Sequence, residues 1–323
     1  MRTLVTGGAG FIGSHIVDEL LARQHAVAAL DDLSSGSRAN LPAGVRLYEV
    51  DICDRDGVRR VFDEFRPEAV FHEAAQLSVS RSVREPVFDA QVNLLGILHV
   101  LENCVRLGTG KMIFASSGGV LYGDVHEPAP ETAPCEPISP YGISKWASEQ
   151  YLQFFTRQHD LKTVALRYSN VYGPRQNPHG EAGVVAIFAE RMLVGQGVVV
   201  NGDGRYLRDY VYARDVARAN VLALERELPE PFAAFNIGTG MTTDVNQLAA
   251  QMRSACIAVN QILGRSVNIP EPAHGPPRAG DLRSSVVSFS KATKILDWRP
   301  TVTLADGVRQ TIEWFAKSPG ARS

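Results

Sequence analysis

The sequence predicts an α/β protein in which a doubly wound parallel sheet is followed by a smaller C-terminal α/β region. Strand-like and helix-like stretches alternate through the first half of the 323-residue chain. A glycine-rich turn, TGGAGFIG, directly follows the first apolar run. Beyond Gly173-Pro174 the pattern becomes irregular and rich in proline. These observations predict one domain at 1–172 and a second region at 173–323, with 210–240 packing back onto the first sheet.

Apolar periodicity assigns the elements in chain order. The predicted strands are 2–6, 27–30, 45–50, 69–73, 111–116 and 163–168. The predicted helices are 12–24, 54–65, 87–107, 140–158, 183–195, 290–297 and 304–316. Because helices separate most of the strands, we expect the strands to pair in parallel.

Composition argues against several classes of partner. The formal net charge is −2, so nothing favours nucleic acid or an anionic membrane. Cys53, Cys104, Cys135 and Cys256 show neither CxxC nor metal-ligand spacing, so we expect reduced thiols and no metal site. The chain shows no signal-like start and no apolar run long enough to span a bilayer. We therefore expect a cytoplasmic protein.

The glycine-rich turn carries the dinucleotide-binding fingerprint of a Rossmann fold. Gly7 permits the tight turn, Gly10 lets the backbone approach a pyrophosphate, and Gly13 lets the next helix pack close to the strand. The N-terminus of that helix offers N–H groups and the positive end of its dipole to the phosphates. Asp31 ends the second strand, at the spacing that the fingerprint requires.

A carboxylate at this position favours NAD over NADP. Asp31 can accept hydrogen bonds from both adenosine ribose hydroxyls, whereas a 2′-phosphate would meet its negative charge. Asp32 either lies beside the same ribose or is simply solvated. Asp51 and Ile52 end the next strand, where they contact the adenine or, in the alternative, cap a helix.

A second motif supplies acid–base chemistry. Tyr141 and Lys145 in YGISK are four residues apart, on one face of a helix that begins at Ser139-Pro140. A tyrosine with its ordinary pKa near 10 is a poor base at neutral pH, but a neighbouring ammonium favours the phenolate. In FASSGGVLYG an apolar strand stops at Ser116 and Ser117. Either hydroxyl could bond a reacting hydroxyl group or merely cap the strand end.

Together, TGGAGFIG, Asp31, SSGG…YG and SPYGISK resemble the extended short-chain dehydrogenase/reductase family. LRYSNVYGPRQ at 166–176 and LRDYVYARDVA at 207–217 extend the likeness, which runs from residue 1 to about 315. Within this family the chain is most similar to the UDP-glucose/UDP-galactose 4-epimerases, which are NAD-dependent enzymes acting on nucleotide sugars.

The resemblance implies catalytic roles for three residues. Ser117 and Tyr141 would bracket the 4-hydroxyl of the sugar, and Tyr141 would remove its proton while NAD oxidises carbon 4. Lys145 would hold the nicotinamide ribose and depress the pKa of Tyr141. The 4-keto sugar would then turn over and be reduced on its other face. Ser117 is preferred to Ser116, although the segment is one residue longer than the usual SSxxVYG form.

The resemblance also implies cofactor contacts. Phe11 and Ile12 would give N–H groups to the pyrophosphate of NAD. Leu77 stands where many of these epimerases carry a lysine, so some cofactor binding must be arranged differently. The remaining cofactor positions follow the fourth strand or match later family motifs: Ala74, Ala75, Gln76, Asn93 and Tyr168.

On the substrate side, Arg208 and Arg278 match the positions that clamp the diphosphate of UDP. For each arginine alone a surface charge is the better interpretation, and only the motif context favours the diphosphate. Ser285 replaces the bulky tyrosine of hexose-restricted epimerases. The space left predicts turnover of UDP-GlcNAc and UDP-GalNAc beside the plain UDP-hexoses. The other implied contacts are Asn170 to the sugar, Asp281 to the UDP ribose, and Val199 and Val200 to the uracil.

Other functions compete with this one. A 4,6-dehydratase needs an acid pair after the strand-end hydroxyl, where this chain has Gly118 and Gly119. Epimerisation of a UDP-uronic acid or a UDP-pentose stays open, because nothing in the motifs determines what meets carbon 6. A non-catalytic NAD sensor would lack the serine, the tyrosine or the lysine, and all three are present.

Apolar residues on more than one side of helices 87–107 and 140–158 predict a homodimer, because the family pairs such helices across a two-fold axis. Burial within one chain is the alternative. The residues concerned are Val92, Leu95, Leu98, Val100, Trp146, Tyr151, Phe154 and Phe155.

Overall fold

The computed structural model describes residues 1–179, 183–277 and 281–317. The strands are β1 (Arg2–Thr6), β2 (Ala26–Asp31), β3 (Arg46–Glu49), β4 (Ala69–His72), β5 (Lys111–Ser117), β6 (Lys162–Tyr168), β7 (Asn170–Tyr172), β8 (Val199–Asn201), β9 (Leu207–Arg208), β10 (Tyr210–Tyr212), β11 (Phe232–Ile237), β12 (Thr243–Asp244), β13 (Ala273–Gly275) and β14 (Ser284–Ser285). The α-helices are α1 (Phe11–Ala22), α2 (Arg55–Phe65), α3 (Val79–Arg84), α4 (Pro86–Ala90), α5 (Gly96–Leu107), α6 (Gly118–Leu121), α7 (Pro140–His159), α8 (Val184–Leu193), α9 (Ala213–Glu225), α10 (Val245–Ile262), α11 (Ser290–Leu296) and α12 (Leu304–Lys317).

A seven-stranded parallel sheet forms the centre of the fold, in the order β3-β2-β1-β4-β5-β6-β11. β1 lies between β2 and β4, so the chain winds outward from this point in both directions. Because the strands are parallel, their carboxyl ends meet at one edge of the sheet. The doubly wound Rossmann sheet predicted from the sequence is confirmed.

Helices cover both faces of this sheet. Leu4 and Met112 pack in the core that α2, α5 and α7 share, whereas Val5 and Ile113 pack in the core with α1 and α9. Neighbouring residues of a strand point to opposite faces, and all four side chains are fully buried. Burial on both faces explains why these strands are continuous apolar runs in the sequence.

The later part of the chain has a second core, in which α8, α10 and α12 pack together. No helix was predicted for 245–262, which forms α10. Its start carries a capping box: the Asp244 side chain accepts the Gln247 N–H, and the Gln247 side chain accepts the Asp244 N–H. This motif is the sequence signal that could have located the helix.

The segment 210–240 contributes to both parts of the molecule. β11 pairs with β6 at the edge of the large sheet, and α9 packs against α1. β10 pairs instead with β7 in a small two-stranded sheet. The division at residue 172 stays a prediction. Within the described ranges, no helix combines the length and the apolar character needed to cross a membrane.

Candidate active site

The glycine-rich turn joins β1 to α1 at the carboxyl edge of the sheet. Gly7 has a φ of +65°, and a Cβ on Gly13 would lie 2.1 Å from the Gly7 carbonyl oxygen. The Gly10 N–H donates to the same oxygen at 3.0 Å. α1 begins with no side-chain cap and no acidic residue in its first turn. The first-turn amides, those of Phe11 and Ile12 included, lack intrahelical acceptors and fit a pyrophosphate.

Asp31 lies next to this turn at the end of β2. Its Oδ2 accepts the Ala9 N–H at 2.9 Å, and its Oδ1 accepts the Leu33 N–H at 2.9 Å. Burial raises the pKa of this carboxyl, and the two amide bonds oppose the shift. Asp32 is exposed and accepts the Ser34 N–H at 3.0 Å. Asp31 therefore ties the glycine turn to the loop that follows β2.

The Asp51 side chain does not cap α2. Its Oδ1 accepts the Cys53 N–H at 2.8 Å, and the N-cap of α2 is Asp54. Ile52 is buried, and a Cβ on Gly96 would lie 2.6 Å from its Cδ1. The capping alternative is therefore wrong, and contact with an adenine stays a prediction for Asp51 and Ile52.

A buried hydrogen-bond network centres on Asp89 of α4, which was not predicted from the sequence. Its Oδ1 accepts from Gln76 Nε2 at 2.8 Å and from Asn93 Nδ2 at 3.0 Å. Its Oδ2 accepts the Ser144 hydroxyl at 2.6 Å. Asn93 lies in a π-helical turn, Gln91–Leu95, which interrupts the single helix predicted at 87–107. The network links the segment after β4 to α7.

A second polar cluster lies beside the segment after β4. Tyr168 donates its hydroxyl to Glu73 Oε1 at 3.0 Å and accepts from Asn220 Nδ2 at 2.8 Å. The backbone after β4 passes close to the glycine turn, since a Cβ on Gly7 would lie 2.7 Å from the amide nitrogen of Ala74. Glu73 and Asn220 were missed in the sequence, although a carboxylate directly after a buried strand was a signal for Glu73.

Tyr141, Lys145 and Ser117 meet at the carboxyl edge of the sheet. Ser139 caps the start of α7, and Lys145 follows Tyr141 one turn later. The Lys145 Nζ lies 5.7 Å from the centre of the Tyr141 ring and donates to the Ala115 carbonyl at 2.8 Å. The Ser117 hydroxyl is hydrogen-bonded to the Tyr141 phenol. The three groups therefore lie together at this edge of the sheet.

The two serines that end β5 point in opposite directions, because side chains alternate along a strand. Ser116 donates to Glu149 Oε1 at 2.5 Å in the interior. Glu149 also forms a buried ion pair with Arg167 at 2.7 Å. Of the two serines, Ser117 is therefore the one that bonds Tyr141.

Burial is the largest cause of the pKa shifts in this group. It raises the pKa of Tyr141, and the carboxyls of Asp89 and Glu73 raise it further. The hydrogen bond from Ser117 opposes this shift. Burial lowers the pKa of Lys145 to about 8, while Glu73 and Asp89 oppose that change. The expected lowering of the Tyr141 pKa by Lys145 is therefore wrong for this structure, since burial disfavours the phenolate.

Arg208 in β9 pairs with Asp281, with Nη2 2.6 Å from Oδ1. β14 runs parallel to β9 and places Ser285 opposite Arg208. The buried Ser285 hydroxyl donates to the Gly119 carbonyl at 3.5 Å. A Cβ on Gly119 would in turn lie 3.8 Å from the Ser117 hydroxyl oxygen. Ser285 therefore connects the Arg208 strand to the serine–tyrosine pair.

The other predicted substrate residues differ in accessibility. Asn170 is half-buried, and its Oδ1 would lie 4.0 Å from a Cβ on Gly119. Val199 is 55% exposed, whereas Val200 is 1% exposed and packs in the second core. Only the Val199 side chain can therefore line a uracil slot, which corrects the expectation for Val200. Arg278 lies outside the described residues.

A parallel Rossmann sheet with a glycine turn after β1 and a serine–tyrosine–lysine group at its carboxyl edge defines a dinucleotide-binding protein of the short-chain dehydrogenase/reductase type. The model of the NAD dependent epimerase/dehydratase family matches residues 3–238. The chain belongs to this family. The family predicted from the motifs, and with it NAD as the cofactor, is confirmed.

Several relatives are similar over nearly the whole chain. The UDP-glucose 4-epimerase of Mycolicibacterium smegmatis is 44% identical, over 98% of each chain. The structure of UDP-glucose 4-epimerase with UDP-glucose from Thermotoga maritima is 50% identical with a TM-score of 0.90, over 98% of this chain and 99% of that chain. The Thermus thermophilus UDP-glucose 4-epimerase in complex with NAD is 49% identical with a TM-score of 0.88, over 98% of this chain and 100% of that chain.

Proposed function

We propose that the protein is a UDP-hexose 4-epimerase that interconverts UDP-glucose and UDP-galactose. The observation that carries the proposal is the hydrogen-bonded Ser117–Tyr141 pair beside Lys145, at the sheet edge that also holds the glycine turn. The names of the relatives from M. smegmatis and T. maritima support it, as does the UDP-glucose in the T. maritima structure.

The residues around the glycine turn fit NAD. A Cβ on Gly7 or Gly13 would collide with backbone atoms, so these glycines keep open the space at the N-terminus of α1 that a pyrophosphate needs. Asp31 ends β2 beside this turn, where its charge disfavours a 2′-phosphate. Lys145 would hold the nicotinamide ribose. When bound, NAD supplies reversible oxidation at carbon 4 of the sugar.

The chain's own residues move the proton. The Ser117 hydroxyl offers a route between the 4-hydroxyl of the sugar and the Tyr141 oxygen. The Lys145 ammonium, 5.7 Å from the centre of the Tyr141 ring, supplies positive charge against the burial that raises the pKa of Tyr141. Because the reaction removes a proton and then returns it, Tyr141 serves first as the acceptor and then as the donor. The keto sugar turns over between the two transfers.

Arg208 and Asp281 would hold the UDP. Arg208 is mostly buried and Asp281 is more accessible, with side-chain exposures of 13% and 37%. The guanidinium would exchange Asp281 for the diphosphate, and the freed carboxylate would accept a ribose hydroxyl. Gly118 and Gly119 open α6 directly after Ser117 and supply no acid, which argues against dehydration.

Conversion of UDP-galactose by the NAD-loaded protein tests the proposal. We expect UDP-glucose to form, as measured by chromatography of the nucleotide sugars, and Tyr141→Phe to abolish the conversion. Conversion of a UDP-uronic acid or a UDP-pentose but of no hexose would replace the proposed substrate. A wild-type protein that binds NAD and converts none of these sugars would be a sensor, and the proposal would be wrong.

The small side chain of Ser285, opposite Arg208, leads us to include UDP-GlcNAc and UDP-GalNAc among the substrates. Ser285→Tyr should lower kcat/KM for the N-acetylated sugars at least about tenfold more than for the plain hexoses, which is about 1.4 kcal/mol of discrimination. If both classes of sugar lose activity equally, Ser285 does not set the size of the sugar site.

We further propose a cytoplasmic homodimer. Val100 and Phe155 are buried within the chain, but Leu95, Tyr151 and Phe154 are 52%, 40% and 48% exposed. Large apolar side chains exposed together are typical of an interface. Light scattering should give twice the 35.2 kDa chain mass, and Phe154→Glu should shift the protein toward monomer. Four cysteines without a disulfide are consistent with a reducing compartment.

A further inference from the structure

The pairing of β9 with β14 aligns four side chains on one face. In this parallel pair Ser285 lies opposite Arg208. The Leu207 N–H donates to the Arg283 carbonyl at 2.8 Å, so in the same register Arg283 lies opposite Tyr206. Tyr206 lies beside Arg208, whose Cζ is 6.0 Å from the ring centre, and beside Arg283, whose Cζ is 4.7 Å from it. Each pair is two residues, or about 7 Å, from the other.

Two guanidinium groups lie near the Tyr206 ring. The Arg283 Cζ is 4.7 Å from the ring centre and the Arg208 Cζ is 6.0 Å from it. The Arg283 guanidinium also bonds the Tyr206 hydroxyl, and its Nη1 and Nη2 each lie 3.4 Å from an oxygen of Asp203. About half of the Arg283 and Asp203 side chains is exposed, so this charge pair can rearrange around a ligand.

The direction of a bound nucleotide sugar follows from these positions. Ser285 contacts Gly119 beside Ser117 and thus marks the sugar end. Arg208 comes next, at the proposed diphosphate position. Tyr206 and Arg283 lie one step further along the same face. The Tyr206 ring also touches the turn after β8, since a Cβ on Gly202 would lie 3.3 Å from its Cε2. β8 carries the exposed Val199 that was assigned to the uracil.

We propose that Tyr206 and Arg283 form the nucleoside end of the substrate site. The Tyr206 ring packs against the pyrimidine base and ribose, and the Arg283 guanidinium donates to their oxygen atoms. Aromatic rings stack on bases, and the planar guanidinium suits oxygen acceptors next to a ring. This inference rests on the proposed function and extends it, because neither residue belongs to the motifs that predicted the UDP site.

The test compares UDP with inorganic pyrophosphate, which lacks the nucleoside, on the NAD-loaded enzyme by calorimetry. We expect Tyr206→Leu to raise the Kd for UDP roughly tenfold, within the range of base–aromatic stacking, and Arg283→Met to act in the same direction. Tyr206→Phe keeps the ring and should retain most of the affinity. The KM for UDP-galactose should rise with the Kd, while kcat stays within about twofold, because the reacting carbon is at the other end of the ligand.

Tyr48→Leu is the matched control, since Tyr48 in the edge strand β3 has a similar arrangement: the Arg46 Cζ lies 4.6 Å from its ring centre, and Arg46 pairs with Glu64. It should leave the Kd for UDP unchanged. An unchanged Kd in Tyr206→Leu, or an equal loss for pyrophosphate, would overturn the inference. A wild-type enzyme that fails to bind UDP would instead overturn the proposed function, so the two failures are distinguishable.

Discussion

The hydroxyl of Tyr168 donates to the carboxyl of Glu73 at 3.0 Å, close to the buried ammonium of Lys145. Burial raises the pKa of Glu73 to about 7, and both Tyr168 and Lys145 oppose the shift. A carboxyl that still holds its proton near neutral pH therefore lies next to the group proposed for proton transfer. Its titration has a measurable consequence for stability.

Glu73→Gln should change the pH dependence of the free energy of unfolding. The folded protein keeps the Glu73 proton up to about pH 7, whereas the unfolded chain releases it near 4.5. Wild-type stability attributable to Glu73 therefore falls as the pH rises through this window. As the pH rises from 4.5 to 8, the free energy of unfolding of the variant should increase relative to that of wild type by at least about 1.4 kcal/mol, the energy that corresponds to one pKa unit.

Urea unfolding at several pH values measures this difference. His72 and His15, whose pKa values burial lowers to about 3 and about 4, give an opposite slope that both proteins share. Their effect cancels in the comparison. The exposed Glu230→Gln controls for the change in charge. A difference between Glu73→Gln and wild type that does not vary with pH would contradict the prediction.

Ser117→Ala and Ser116→Ala should have separate effects. Ser117 bonds Tyr141, so its removal should lower kcat about 100-fold with little effect on folding. Ser116 bonds the buried Glu149, so its removal should cost about 1–3 kcal/mol of stability and leave kcat largely intact. Steady-state kinetics and thermal unfolding of both variants measure the two effects. The reverse pattern would show that Ser116 is the reacting hydroxyl.

Glu149→Gln should destabilise the protein strongly. The Glu149 and Arg167 side chains are 0% and 5% exposed, and the substitution leaves a buried guanidinium without its counter-charge. We expect a loss of about 3–5 kcal/mol. Glu313→Gln breaks the exposed pair with Arg309 and should cost less than about 1 kcal/mol. Equal losses in denaturant unfolding would mean that the buried pair is not charged.

Gly13→Ala should weaken NAD binding. The added Cβ would lie 2.1 Å from the Gly7 carbonyl oxygen, so α1 must move away from β1 and distort the phosphate cradle. A rise of at least tenfold in Kd, about 1.4 kcal/mol, is expected in a fluorescence titration. Gly110→Ala is the control, because its Cβ would meet its nearest neighbour at 3.5 Å. Unaltered NAD affinity in Gly13→Ala would exclude this turn as the phosphate site.

Local signals in the sequence determined six of the seven strands of the large sheet, the glycine turn with Asp31, and the Tyr141–Lys145 pair. Each of these depends on residues that are close together in the chain, where apolar periodicity and backbone preferences act directly. Helix α10 also begins at a local signal, the capping box of Asp244 and Gln247, so the sequence contained the information for this helix as well.

Only the tertiary structure decided which of Ser116 and Ser117 bonds Tyr141, that Val200 lies in a core, and that Glu73 and Asp89 raise the pKa of Tyr141. These properties depend on segments that are distant in the chain. Ser116 meets Glu149 across 33 residues, and Ser285 meets Gly119 across 166. Burial and charge at a site are set by what packs against it, and no local pattern records those neighbours.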